Sequence, residues 1–108
     1  ACHDFTVNLA KFDNVVLYEA QAEDVLPTLN IETDLLIADP PRSGLAPEIH
    51  DALSKILPTQ IAYISCDPAT LARDLKKIIQ KGYRLKSVTP FDLFPQTAHV
   101  EAIALLER

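Results

Sequence analysis

The 108-residue sequence has no methionine and no tryptophan, and only two glycines and two cysteines. Cys2 and Cys66 give neither a disulfide framework nor the spacing of a metal-ligand cluster, so both read as free thiols. No apolar run approaches the ~20 residues that a membrane-spanning helix needs. No signal-peptide pattern opens the chain, and a cytoplasmic location is expected. Internal repeats and low-complexity linkers are absent as well, which leaves one small domain with a real core.

Positive charge is also scarce. The net charge of −5 argues against a surface devoted to nucleic acid, yet the charge is unevenly spread. Residues 1–50 carry Lys11 and Arg42 against nine acids, whereas residues 51–108 carry eight basic residues against six. Arg73, Lys76, Lys77 and Lys81 fall on one helical face, with Arg84 and Lys86 following. Such a face is either solvated or a stripe for phosphates.

What is present is a soluble, globular composition, 48% hydrophobic and 23% charged. Strand and helix patterns alternate along it. The first turns read as a helix already under way, with Ala1, Cys2, Phe5 and Leu9 at helical spacing and no capping residue before them. Asn14 to Tyr18 reads as a strand, followed by an acidic turn and a short helix between Ala22 and Leu29, ended near Pro27. Asp34 to Asp39 is a second apolar strand. Pro40, Pro41, Arg42, Ser43 and Gly44 make a rigid loop, because two prolines fix φ and remove two donors. Pro47 opens a helix burying Ile49, Ala52, Leu53, Ile56 and Leu57, stopped by Pro58.

The run Ile61-Ala62-Tyr63-Ile64 predicts a strand covered on both faces. It ends at Cys66, and Asp67 as N-cap with Pro68 at the first helical position starts a helix at once. That helix buries Leu71, Leu75, Ile78 and Ile79, and Gly82 ends it. Tyr83 to Thr89 and Val100 to Leu106 are two closing strands without a helix between them, joined by a loop from Pro90 to Ala98. Alternation implies a parallel sheet with helices on both faces, and the final pair implies a hairpin, so the last strand is antiparallel. The expected fold class is α/β, of the class I methyltransferase (Rossmann-like) kind.

In such sheets ligands bind beyond the carboxyl ends of the parallel strands. Asp39 and Cys66 end two of those strands, and Glu101 begins the antiparallel one, so all three reach one edge. Cys66 taken alone reads as a small buried residue at a strand end, and the lesser reading of Glu101 is a surface glutamate at a frayed strand end. A thiol beside a helix amino terminus meets the positive end of the dipole, which favours thiolate. A carboxylate in an apolar run is costly unless a site pairs, protonates or solvates it. Together these groups suit one chemistry. A pyrimidine C5 is a weak nucleophile until a thiolate adds at C6, and a base must later remove the C5 proton. Polar groups are needed to hold the ring and steady the enolate. Cys66, Glu101 and the Asp39/Arg42 loop fill these roles.

Three motifs here resemble the RNA uracil-5-methyltransferase family, which makes 5-methyluridine in ribosomal and transfer RNA. They are Asp39-Pro40-Pro41-Arg42 with Gly44, Ser65-Cys66-Asp67-Pro68-Ala69-Thr70-Leu71-Ala72-Arg73-Asp74, and Phe94-Pro95-Gln96-Thr97-Ala98-His99-Val100-Glu101. The resemblance implies Cys66 as the nucleophile and Glu101 as the base. It places Asp39, Pro40 and Arg42 at the pyrimidine, Asp39 also at S-adenosyl-L-methionine, and Asp24 near the cofactor's adenine. Asp67 stands where the family often has Asn, and Gln96 where it often has His. Neither Gly44 nor Gly82 stands in the family's Gly-rich cofactor turn, and no amino-terminal RNA-binding barrel or cysteine cluster is seen.

The resemblance therefore implies the carboxyl-terminal part of a catalytic domain, residues 1–108, inactive alone. Of the family's sheet order 3-2-1-4-5-7-6 the chain would hold strands 3, 4, 5, 6 and 7, with the first two absent. Asn14 to Tyr18, as strand 3, is expected to pack on the open edge, to pair with a second copy as a fragment dimer, or to be poorly held. The last motif leans towards 23S rRNA over tRNA as substrate. Other readings are an amino-methyltransferase using the Asp39-Pro40-Pro41 loop, and a non-enzymatic RNA-binding or assembly module using the basic face. His99 reads as structural.

Overall fold

A computed structural model of the chain describes residues 13–91 and 101–108. The expected amino-terminal helix, Cys2, and Phe94 to Val100 with His99 lie outside the described residues. The described elements are α1 (Ala22–Val25), a 3-10 turn (Leu26–Thr28), β1 (Leu35–Ala38) and α2 (Pro47–Ile56). Then follow β2 (Gln60–Ser65), α3 (Pro68–Gln80), β3 (Arg84–Phe91) and β4 (Glu101–Glu107).

The four strands form one sheet in the order β1-β2-β4-β3. β1 and β2 are parallel, and β4 is antiparallel to both of its neighbours, β2 and β3. Three strands thus run one way and the last runs back, as the alternation implied. Backbone bonds from Thr59 to Thr33 and from Gln60 to Asp34 start the β1/β2 pair. β3 is an edge strand, which explains how it tolerates Pro90 and a register shift between Leu85 and Ser87. It extends to Phe91, past the expected start of the loop.

Asn14 to Tyr18 is not a strand. No ladder pairs it, and Val16 is 70% exposed. Its apolar pattern suits a strand, but a strand is completed only by a partner's hydrogen bonds, and among the described residues none is offered.

The helices sit where their caps place them. In α3, Asp67 accepts a hydrogen bond from the Ala69 amide (3.1 Å), Pro68 occupies the first turn, and Gly82 follows with φ 105°. In α2, Pro47 opens the helix and Leu57 closes it at φ 48°, before Pro58. Among the described residues α2 and α3 pack on the same face of the sheet, whereas the expected amino-terminal helix lies outside those residues. Successive right-handed crossovers, β1 to β2 and β2 to β3, step in one direction across the sheet and put both helices on one side. Leu53 from α2 and Leu71, Leu75 and Ile78 from α3 share one core with Ile61, Tyr63, Ala104, Leu106 and Tyr83. On the other face Ile37 is 65% and Leu105 43% exposed. β2 is therefore fully buried on one face only, with Ala62 and Ile64 half-buried.

Candidate active site at the carboxyl edge of the sheet

Ser65 and Asp67 hold the turn that carries Cys66. The Ser65 hydroxyl donates to the Asp67 carbonyl (3.0 Å) and accepts from the Asp67 amide (3.1 Å). Thr70 donates to the Asp67 carboxylate at 3.1 Å, closing the cap. Cys66 is half-buried and unpaired with any cysteine. The β2/β4 register ends on Ser65 opposite Ala102, so Cys66 and Glu101 are the next residues outward on neighbouring strands. Glu101 is half-buried and lies opposite Phe91 of β3.

Asp39 follows β1 directly and is exposed. With Pro40 and Pro41 it lines a cavity of about 640 Å³, bounded also by Leu36, Gly44 and Ile49. That volume falls within the range of small-molecule sites, ~300–1,000 Å³. Arg42 is exposed on the same loop and engaged in an interaction of its own. Asp24 is exposed on α1, and it is its neighbour Glu23 that lines the cavity. The structure thus gathers Asp39 and Pro40 at the cavity and Cys66 with Glu101 at the β2/β4 end, while Asp24 stays outside the cavity lining.

A group that closes the second motif, with no role assigned to it there, joins these parts. Asp74 is buried at 0% exposure in α3. Its Oδ2 accepts from the Tyr63 hydroxyl (2.6 Å) and the Leu45 amide (2.9 Å). Its Oδ1 accepts from His50 Nε2 (3.1 Å) and from the Arg73 guanidinium (3.2 and 3.3 Å). A carboxylate only accepts, so His50 carries its proton on Nε2. Burial pushes the Asp74 carboxyl up, but the Tyr63, Leu45, His50 and Arg73 hydrogen bonds outweigh it and hold the group below its ordinary value. Burial, then the hydrogen bond to and charge of Asp74, push the Tyr63 phenol well above its ordinary value. The signal was available: Asp74 stands at helical spacing with Leu71, Leu75 and Ile78, on the buried face. His50 stands three residues before Leu53 in the same way, while the expected core residues Leu57 and Ile79 are exposed.

The basic face is partly committed to the fold. Arg73 donates to the Ser43 carbonyl (2.7 Å), Lys81 to the Ser54 hydroxyl (2.7 Å), and Arg84 pairs with Glu107. Among the described residues no cluster of His, Cys, Asp and Glu could hold a metal, and no helix is long and apolar enough to cross a membrane.

This sheet, with a carboxyl edge carrying loops and an antiparallel last strand, defines the chain as an α/β domain of the methyltransferase type. A precorrin-6y C5,15-methyltransferase of Geobacter metallireducens shares the fold, with TM-score 0.68 over 94% of this chain and 59% of that one, at 22% identity. The chain belongs to the tRNA (uracil-5-)-methyltransferase family, whose sequence profile matches residues 6–108. An uncharacterized RNA methyltransferase of Streptomyces coelicolor is 47% identical over 99% of this chain and 24% of its own length. One from Prochlorococcus marinus is 42% identical over 98% of this chain and 26% of its own. The tRNA (uracil-54, C5)-methyltransferase of Pyrococcus abyssi, solved with S-adenosyl-L-homocysteine, is 39% identical with TM-score 0.65, over 75% of this chain and 20% of that one. The chain spans about a quarter of the length of these curated relatives.

Proposed function

We propose that the chain is the carboxyl-terminal part of the catalytic domain of an RNA (uracil-C5)-methyltransferase, dependent on S-adenosyl-L-methionine and inactive alone. The observation that carries the reading is the placement of Cys66 and Glu101 at neighbouring strand ends, with the Asp39–Arg42 loop on the same edge.

In this reading the Cys66 thiolate adds to C6 of a uracil, and the electron pair of the C5–C6 bond moves to C5 and O4. Asp39 and Arg42 orient the ring and steady the charge on O4. S-adenosyl-L-methionine supplies the electrophilic methyl group for C5. Glu101 then takes the C5 proton, the C5–C6 double bond reforms, and the C6–S bond breaks to return the thiolate. The cavity beside Asp39 and Pro40 has room for a cofactor, and support comes from the Pyrococcus relative, which was solved with the demethylated product. Asp24 is proposed as an outer contact near the adenine.

For the RNA, the Phe94–Glu101 motif favours 23S rRNA, while the family description and the Pyrococcus relative name tRNA. Both belong in the test. Full-length protein is given RNA tritiated at uracil C5, and tritium release is followed with each RNA. Release should vanish in Cys66→Ala, and in Glu101→Gln it should be replaced by a protein–RNA adduct. Unchanged release in Cys66→Ala would sink the covalent mechanism.

A further inference from the structure

We propose that Asp74 is a positioning residue that clamps the Asp39–Leu45 loop to the helix following Cys66, fixing the two halves of the site at one separation. The inference rests on the functional reading above and names a role for a residue that reading leaves unused. Three features of the clamp act from different directions. The Leu45 amide donates to Asp74 Oδ2 at 2.9 Å. Arg73 spans the gap, donating to Asp74 Oδ1 and, at 2.7 Å, to the Ser43 carbonyl. Between these anchors Gly44, at φ 86°, lies so close to the helix that a Cβ would overlap Thr70 and come within 2.5 Å of Arg73 and of Asp74 Oδ2. A loop merely covering a helix would not need glycine there.

The same carboxylate is reached from the other half of the site. Tyr63, three residues before Cys66 on β2, donates to Oδ2 at 2.6 Å, and His50 of α2 donates to Oδ1. One buried group therefore joins the strand that leads to Cys66, the helix that leaves it, and the loop bearing Asp39 and Arg42. Because Pro40 and Pro41 stiffen that loop, an anchor at residues 43–45 sets the place of Asp39 and Arg42 as well. Misplacing a positioning group by ~1 Å far from the chemistry can slow an enzyme roughly 10²-fold.

The test compares Asp74→Asn, from the helix side, with Gly44→Ala, from the loop side, in the full-length protein. Steady-state methylation, hydrogen exchange at the Leu45 amide, and alkylation of Cys66 by iodoacetamide are read below the unfolding temperature. Each variant should lose roughly 10²-fold in kcat/KM and lose protection at Leu45, with Cys66 alkylated at the wild-type rate. The double variant should be no slower than the worse single one, since both break one clamp. Normal kcat/KM in folded Asp74→Asn, or losses that multiply in the double variant, would overturn the proposal. Should Asp74→Asn fail to fold, Gly44→Ala and the milder Tyr63→Phe decide by the same readouts. A wild-type protein that methylates no uridine would defeat the functional reading instead. Leu45 exchange would then still decide the clamp, supporting it if protection falls in the variants and refuting it if protection is unchanged.

Discussion

Both faces of the sheet carry apolar residues from β1, β2 and β4, yet those residues end in different environments. Ile61, Tyr63, Ala104 and Leu106 alternate along β2 and β4 towards α2 and α3 and are almost wholly buried. Leu35, Ile37 and Leu105 point the other way and remain open. Continuous apolarity in a strand does not say which face is covered; burial in this chain follows from which side the crossovers take. Stability should therefore reside almost entirely on the helical face, and that asymmetry can be broken or sharpened.

Truncating the covered face should have the largest effect. Ile61→Ala or Leu106→Ala should cost about 2–5 kcal/mol, because each removes a filled position among both helices. Chemical denaturation checks this, and an equal cost for Leu105→Ala would erase the difference between the faces. Gly44→Ala comes next at about 1–3 kcal/mol, since it forces a side chain into a positive-φ site closed by Thr70 and Arg73.

Titration should pick out the covered face too. The Asp74 carboxyl is held low in the folded chain, so below its unfolded pKa the unfolded state binds the proton more readily. Its contribution is full above the ordinary carboxylate range and is lost as pH falls through the folded value. Asp74→Asn should flatten that acid limb of a stability-against-pH curve. Tyr63 has the opposite sign. Its raised value makes a contribution that is present below about pH 10 and lost as pH rises further, and Tyr63→Phe should reduce that alkaline loss. The smallest effects belong to the open face, where Ile37→Thr should shift stability by no more than about 0.5 kcal/mol.

Much of this was legible. Asp67 and Pro68 marked the start of α3, Pro47 that of α2, and the absence of a helix between the last two strands marked the reversed one. Those are local signals, and local chemistry answers to them. Asn14 to Tyr18 has as good a strand pattern as Leu35 to Ala38, but only the latter finds β2 alongside. Pattern shows willingness to pair and is silent about a partner. Cys66 and Glu101 stand out in the sequence because each ends or begins an apolar run, and the register sets them side by side. Asp74 closes the second motif but drew no role from it, because only its spacing with Leu71, Leu75 and Ile78 puts it inward. Its four donors come from residues 45, 50, 63 and 73, and no local motif gathers them.

The central claim is that Cys66 attacks the base and Glu101 releases it. The most direct measurement incubates full-length protein with S-adenosyl-L-methionine and RNA carrying 5-fluorouridine, followed by a denaturing gel and mass spectrometry. Fluorine at C5 cannot leave as a proton does, so the thioether should persist as a protein–RNA adduct mapped to Cys66 and lost in Cys66→Ala. A folded protein that binds the cofactor and forms no adduct, or one that maps elsewhere, would contradict it and leave Cys66 a structural thiol.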